Sequence, residues 1–219
     1  MIRQDFKEDI ETFSARMIQE NPLFVKAKKG ALSKAQVQVY LNNLHHVFSH
    51  TTRHLALAEN HARHKQLPVL AEFFHAKIPE EQGHEQWAVN DIRNLTSLPE
   101  PLTNDSIRPA THNLINFISE IIQSHPVDYV SYMYCVEYFT VLVGPQLIQL
   151  LEKNCGISRE HMTAIGNHVQ ADAEHTEEDL GVIEQLAGDP EYALRMKNAL
   201  LGSMKHVDEF LAQAAGTDR

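Results

Sequence analysis

The stretch from His168 to His175 holds two imidazoles and a carboxylate at positions i, i+4 and i+7, where the carboxylate is Asp172. On an α-helix Asp172 lies about +40° and His175 about -20° from His168, so all three project from one face. Such side chains can reach one metal ion or a close pair without distorting the backbone. The alternative is a solvated polar stripe, because further acids are nearby. These are Glu174, Glu177, Glu178 and Asp179.

A second candidate pair is Glu81 and His84, three residues apart. A Glu-x-x-His pair projects from one helical face, as in carboxylate-bridged di-iron bundles. The same pattern also occurs by chance on exposed helices, and the adjoining Glu80 and Glu85 favour solvent. Asp91, on the same face as His84, is either a hydrogen-bond acceptor behind a ligand or a surface acid.

The third candidate is Glu137, the only formally charged residue between Asp128 and Glu152. An ionised carboxylate left unpaired in an apolar core is costly or takes up a proton, whereas a metal cation removes the cost. A protonated or arginine-paired glutamate is the alternative.

The depth of these residues along two helices provides a consistency test. If the helices on either side of residues 155–157 are antiparallel, Glu137 lies about 18 residues before the turn, and Asp172 and His175 lie about 16 to 19 after it. At about 1.5 Å per residue they lie at one level. Three carboxylates and three imidazoles then converge, and a pair of irons with open positions for dioxygen fits this set.

The elements that must position these residues are helices. Apolar residues recur at three- and four-residue intervals without strand-like alternation, which predicts an all-α fold. The seven predicted helices have approximate bounds 5–20, 33–64, 68–95, 111–124, 126–155, 158–187 and 191–215.

Local signals set several of these bounds. Asn21-Pro22 ends the first helix, and a loop carrying Gly30 follows. Ser33 and Gln36 form a capping-box pattern for the second helix. Pro79 is predicted to kink the third helix just before Glu81, and residues 97–110 are predicted to form a connector. Ser158 is predicted to cap the sixth helix.

Composition limits the class of protein. The 219 residues are predicted to form one domain, residues 1–219. A net charge of -10 argues against binding to nucleic acid or anionic lipid. Two cysteines and an amino terminus without an apolar signal core favour a reduced cytoplasmic location. The apolar stretch 129–151 contains Glu137 and is predicted to be a buried core helix rather than a membrane span.

The order and spacing of the candidate residues resemble those of the heme-oxygenase-like di-iron oxidases, also described as iron-containing redox enzymes. The shared pattern is Glu-x-x-His, a lone Glu about 55 residues later, and His-x3-Asp-x2-His about 30 beyond that. The resemblance extends over most of the chain, including residues 40–62 and the segment EEQGHEQWAVNDI. It implies a seven-helix heme-oxygenase-like bundle.

The resemblance also implies a function. It implies two irons per chain that activate dioxygen to oxidise a small organic substrate by oxidative decarboxylation, N-oxygenation or hydroxylation. A carboxylic acid is a candidate substrate, a homodimer is expected, and manganese or a mixed manganese–iron pair suits the same ligand types. The implied ligands, which are also the implied catalytic residues, are Glu81, His84, Glu137, His168, Asp172 and His175.

Branches of the family differ around the first ligand pair. They include a fatty-acid decarboxylase that makes terminal alkenes, N-oxygenases, and a self-sacrificing enzyme that makes para-aminobenzoate. Glu81 and His84 most resemble the alkene-forming branch. The para-aminobenzoate branch has a histidine where this chain has Ala88, and a lysine near the fifth helix, which is absent from residues 129–151. Para-aminobenzoate synthesis is therefore not predicted.

A ferritin-like di-iron bundle is one competing interpretation, with Glu59 as its first ligand. Glu59 lies about eight residues before the turn near Gln66 and Glu81 about 15 after it. This is a mismatch of about 10 Å along the helix axis. The residues level with Glu81 are instead 50–54.

The other competing interpretation is a metal-free relative that binds a thiamine fragment or another heterocycle, or a heme-binding protein. Its candidate residues are four closely spaced histidines, His45, His46, His50 and His54. Arg53 is either a partner for a substrate carboxylate or a surface ion-pair residue. For the di-iron enzyme, the predicted lining of the substrate pocket is Phe48, Tyr134, Tyr138 and Val141.

Overall fold

The computed structural model describes residues 2–95, 106–214 and Gly216, and these residues form an all-α structure without strands. The all-α prediction is therefore confirmed. The helices are α1 Ile2–Glu20, α2 Pro22–Lys28, α3 Lys34–Phe48, α4 Thr51–His64, α5 Pro68–Glu81, α6 Glu85–Leu95, α7 Pro109–Ser124, α8 Pro126–Cys155, α9 Thr163–Leu186 and α10 Pro190–Ala214. A short 3₁₀ helix, Arg159–His161, precedes α9.

Helix α8 is the central packing element. It contacts α1, α2, α4, α7, α9 and α10. By length and composition it is the one described helix that could cross a membrane. Its packing is that of a core helix, as predicted, and its Asp128 is paired with Arg195 of α10 at 2.6 Å.

A tight turn returns the chain from α8 to α9. Gly156 ends α8 with a left-handed φ of +67°, a backbone conformation that favours glycine. The two helices then approach closely at Gly144, where a Cβ atom would lie 2.5 Å from a methyl carbon of Val169 and 3.1 Å from one of Ile165. This antiparallel contact brings Glu137 to the level of Asp172, as the depth test predicted.

Two predicted helices are each divided in the structure. The predicted helix 33–64 is interrupted at Ser49–His50, where the Ser49 hydroxyl donates to the His46 carbonyl oxygen at 2.8 Å. The predicted helix 68–95 ends at Glu81, and Gly83 has a φ of +93°. These two breaks account for two of the three α-helices that the described residues hold beyond the seven predicted.

A third difference follows α1. The loop predicted there contains α2, because Asn21 caps a new helix and accepts from the Leu23 N–H, with Pro22 in the first turn. The signal that ends one helix thus also starts the next.

Other local signals act nearly as predicted. The capping box of Ser33 and Gln36 is present. Ser158 caps the 3₁₀ helix instead of α9. Most of the predicted connector 97–110 lies outside the described residues, and the single domain stays a prediction.

Candidate metal centre

The break between α5 and α6 positions the first two candidate ligands. Glu81 is the last residue of α5, and the turn at Gly83 returns His84 to it, with Nδ1 3.1 Å from Glu81 Oε2. Both side chains are only 12–14% exposed. The prediction of a continuous helical face was wrong, because the helix ends between them, but the two side chains do meet.

His168 joins this pair from α9. One ligand atom from each of Glu81, His84 and His168 lies within 4.8 Å of the other two, the spacing of a group that can hold a metal ion. Trp87 stacks on His84 with ring centroids 3.9 Å apart and meets His168 edge-on at 5.1 Å. The three candidate ligands are therefore packed into place.

The hydrogen bonding of His168 fixes its tautomer. A carbonyl oxygen only accepts, so the contact of Nδ1 with the Ala164 carbonyl at 2.7 Å places the proton on Nδ1. Nε2 then keeps its lone pair for a metal ion. Burial lowers the pKa of His168, which favours the neutral, ligating form, and Phe48 stacks on the ring at 4.3 Å.

Asp91 supports the turn that carries Ala164. It is fully buried and accepts from the Thr163 hydroxyl and the Ala164 N–H, each at 2.7 Å. A carboxylate at a helix amino terminus satisfies free N–H groups and opposes the helix dipole. Asp91 is thus an acceptor behind a candidate ligand, acting through the first turn of α9, and the surface-acid alternative is wrong.

Glu137 and Asp172 form the second part of the site. Their exposures are 9% and 3%, and Oε2 of Glu137 has no hydrogen-bond partner among the described residues. Burial, reinforced by Glu81 and Asp179, raises the pKa of Asp172 to about 8. Burial and the nearby Asp179 and Asp172 likewise raise the pKa of Glu137 well above its ordinary value. These carboxyls crowd a buried space that a cation would stabilise.

His175 lies at the edge of the two groups. Its Nε2 is 3.4 Å from Glu80 Oε2 and its Nδ1 is 3.9 Å from Glu81 Oε1. The side chain is 12% exposed, and Nδ1 has no hydrogen-bond partner among the described residues. The structure thus brings all six sequence-predicted residues together, although their role as ligands stays a prediction.

Two buried charged residues were missed by the sequence interpretation. Asp179 was assigned to the solvated stripe, but it is fully buried. Helical spacing could have identified it, since it is four residues after His175 and seven after Asp172. Lys77 of α5 is 2% exposed and donates to Glu178 Oε2 at 2.5 Å. No sequence signal distinguished this lysine.

An apolar cavity of about 160 Å³ adjoins the candidate ligands. Glu81, Glu137, His168 and Asp172 line one part of it, and none of its described lining residues is a lysine or arginine. Much of the remaining wall is aliphatic or aromatic. It includes Leu44, Val47, Phe139, Val143, Leu147 and Phe210.

Only part of the predicted lining is correct. Phe48 lines the cavity, whereas Tyr134, Tyr138 and Val141 do not. The Tyr138 hydroxyl instead donates to Glu11 at 2.8 Å. Along α8 these three residues project about 40° to 100° from Glu137 in one direction, whereas the cavity-lining Met133, Thr140 and Gly144 project from its other side. Arg53 is exposed and does not line the cavity, so a contact with a bound carboxylate there is not supported.

The histidines of α3 and α4 are mostly outside the cavity. Of the four considered for heme or heterocycle binding, only His54 lines it. Its Nε2 lies 3.2 Å from the Ser119 hydroxyl. Burial, with smaller contributions from His50 and Arg53, lowers the pKa of His54 to about 4.

Glu59, the extra ligand of the ferritin-like alternative, is also outside the site. It pairs with Arg63 at 2.7 Å and His75 at 3.3 Å, and it does not line the cavity. The structure therefore does not assemble the ferritin-like set.

The fold belongs to the heme-oxygenase-like class, as comparison with solved structures shows. A domain of unknown function with this fold from Shewanella denitrificans has a TM-score of 0.83 and 20% identity, covering 96% of this chain and 90% of that one. A TenA homologue from Pseudomonas syringae has a TM-score of 0.78 and 18% identity, with coverages of 98% and 92%. A CADD-like protein of unknown function from Nostoc punctiforme gives 0.73 and 13%, with coverages of 97% and 98%.

A sequence comparison shows which family the chain belongs to. The family model described as iron-containing redox enzyme matches residues 38–201. The chain therefore belongs to the iron-containing redox enzyme family, which confirms the resemblance. No functionally curated protein shows a significant sequence match to it.

Proposed function

We propose that this protein is a non-heme di-iron oxidase or oxygenase that uses dioxygen to oxidise a small organic substrate. The observation that carries the proposal is the convergence of Glu81, His84 and His168 within 4.8 Å beside the buried carboxyls of Glu137 and Asp172. Family membership favours iron over other metals that suit carboxylate and imidazole ligands.

The residues fit such a metal pair. Glu81, His84 and His168 would hold one ion, and Glu137, Asp172 and His175 would hold the other. Unpartnered buried atoms on Glu137 and His175 support this assignment, since a metal ion would satisfy both. Bound iron would supply the redox chemistry through which dioxygen oxidises an organic molecule.

The rest of the site binds and orients the substrate. The apolar wall excludes water and favours an apolar body, while the reactive end faces the ligand cluster. Because the described lining holds no lysine or arginine, an acid substrate would direct its polar group towards the metal side.

Several further features belong to the proposal. Two irons per chain, a carboxylic acid among the substrates, a cytoplasmic location and a homodimer follow from the sequence and its resemblance. Manganese or a mixed pair suits the same donors.

A second candidate function is a metal-free relative that binds a heterocycle in the same cavity. The likeness to a TenA homologue favours it. It leaves unexplained why His84, His168 and His175 converge with several buried carboxyls beside the cavity, and iron content separates the two functions.

Oxygen uptake tests the proposal. Protein loaded anaerobically with Fe(II) is mixed with oxygenated buffer and fatty acids, aryl acids or amino acids. We expect faster uptake with apolar acids, and loss of uptake in His168→Ala and Glu137→Ala with helicity retained. The matched controls are the exposed His112→Ala and Glu174→Gln, which should behave as the parent protein. Retained turnover in both ligand variants would contradict the proposal.

A further inference from the structure

Asp179 shares the face of α9 that carries three candidate ligands. At about 100° per residue it lies about 20° from His168 and within about 40° of His175. It is fully buried, whereas Glu174, Glu177 and Glu178 on the same helix are exposed. Its burial therefore follows from the direction of its side chain towards the site, not from the general acidity of α9.

Asp179 faces another acid rather than a cation. Both of its carboxylate oxygens are buried without a donor, and its side chain lies within hydrogen-bond reach of Glu137, whose Oε2 also lacks a donor. Two adjacent buried carboxyls repel each other unless they share a proton or a cation.

The buried Lys77 offsets this repulsion only in part, through an electrostatic effect that lowers the pKa of both carboxyls without a direct ion pair to either. Lys77 directs its ammonium group to Glu178 at 2.5 Å and Glu80 at 3.2 Å. Both of these acids are largely exposed. Lys77 thus makes its ion pairs on the outer side, and Asp179 and Glu137 are left facing each other.

We propose that Asp179 is a further carboxylate ligand of the metal centre, sharing with Glu137 the second of the two ions. The inference rests on the proposed function, because it needs a metal at the site. It adds a seventh protein group to the six predicted residues and makes the second position richer in carboxylates than the first. The two ions should then differ in affinity, since an imidazole-rich and a carboxylate-rich position select metals differently.

The test is a metal titration of Asp179→Asn, which preserves size and removes the charge. Fe(II) and Co(II) are titrated anaerobically, bound metal is counted by elemental analysis, and the Co(II) absorption spectrum reports changes in ligation. We expect the parent protein to bind two ions and the variant to bind one of them at least about 10-fold more weakly, with an altered Co(II) spectrum. Glu174→Gln, an exposed acid on the same helix, is the matched control and should titrate as the parent.

Thermal unfolding of the metal-free proteins provides a second readout. Removing an unpartnered buried carboxylate should leave the metal-free variant at least as stable as the parent. Asp179→Ser serves as a second variant. Two ions bound at parental affinity with an unchanged Co(II) spectrum would overturn the inference. Failure of both metal-free variants to fold would also overturn it, by making Asp179 a structural partner. A parent protein that binds no metal would instead refute the proposed function.

Discussion

The tautomer of one histidine links backbone structure to chemistry at this site. The first turn of α9 offers the Ala164 carbonyl to Nδ1 of His168, so the lone pair of Nε2 is left for a metal ion. Asp91 holds that turn through the Ala164 N–H. A buried acid on α6 therefore sets the direction of a candidate ligand on α9.

Trp87 provides a direct report of metal binding. It is the only tryptophan in the chain and stacks on His84 at 3.9 Å. A transition-metal ion held by His84 would lie close enough to quench its fluorescence. We expect saturable quenching on addition of Fe(II) or Co(II), measured anaerobically.

The control variants separate specific from nonspecific quenching. His84→Ala should weaken the effect at low metal concentration, and the exposed His112→Ala should preserve it. Equal quenching in the parent and His84→Ala would argue against metal binding at this histidine.

His54 should make the fold sensitive to acid. Burial lowers its pKa from 6.5 to about 4 in the folded protein, so the unfolded chain binds the proton more readily between these values. The free energy of unfolding therefore falls as the pH drops from about 6.5 towards 4. At pH 5 the protonation of His54 lowers it by about 2 kcal/mol relative to neutral pH.

Urea unfolding at pH 7 and pH 5 measures this effect. His54→Gln should lose less unfolding free energy between the two values than the parent protein does. His112→Gln, an exposed histidine, is the control and should follow the parent. An identical pH dependence in His54→Gln and the parent would contradict the assignment.

At the level of elements, the break between α5 and α6 is the feature that places Glu81 beside His84. Gly83 has a φ of +93°, outside the range that other residues adopt without strain. Gly83→Ala should reduce the unfolding free energy by about 1–2 kcal/mol and weaken metal binding, because His84 would be displaced. Urea unfolding and a Co(II) titration measure the two effects.

Gly181 is the matched control for this substitution. It lies within α9, is exposed, and has open space around its Cα atom. Gly181→Ala should therefore increase the unfolding free energy by up to about 1 kcal/mol. Stabilisation by both substitutions would contradict the role given to Gly83.

The positions of the helices show how far the sequence alone could predict the structure. Apolar periodicity, the Asn21-Pro22 stop and the Ser33 capping box located most helices, because such signals are local, although Pro22 also starts α2, which was predicted as a loop. The breaks at Ser49 and Gly83 were missed, since both residues are tolerated inside helices and only tertiary packing reveals the interruption.

The candidate site was likewise predictable from the sequence only in part. Spacing identified the six ligand candidates, and their depth along the helices was predictable from the rise per residue. Burial was not predictable in the same way. Asp179 occurs among exposed acids in the sequence, and no local signal distinguishes Lys77. Tyr134 and Tyr138 could be excluded from the cavity only by knowing which side of α8 faces it.

For the molecule as a whole, the fold establishes a structural class, whereas the proposed function depends on the site. The heme-oxygenase-like fold is shown by several solved structures, and one of them is a TenA homologue. A fold shared by different proteins does not define a reaction. The function proposed for this chain therefore depends on the ligand cluster and on the apolar cavity beside it.

Iron content is the measurement that tests the central claim most directly. Metal-free protein is loaded with Fe(II) under anaerobic conditions, freed of unbound metal, and assayed for iron and protein. The parent protein should retain two irons per chain, and the combined His168→Ala and Glu137→Ala variant should retain less than one. Less than one iron per chain in the parent protein, or stoichiometric binding of heme in its place, would contradict the di-iron account.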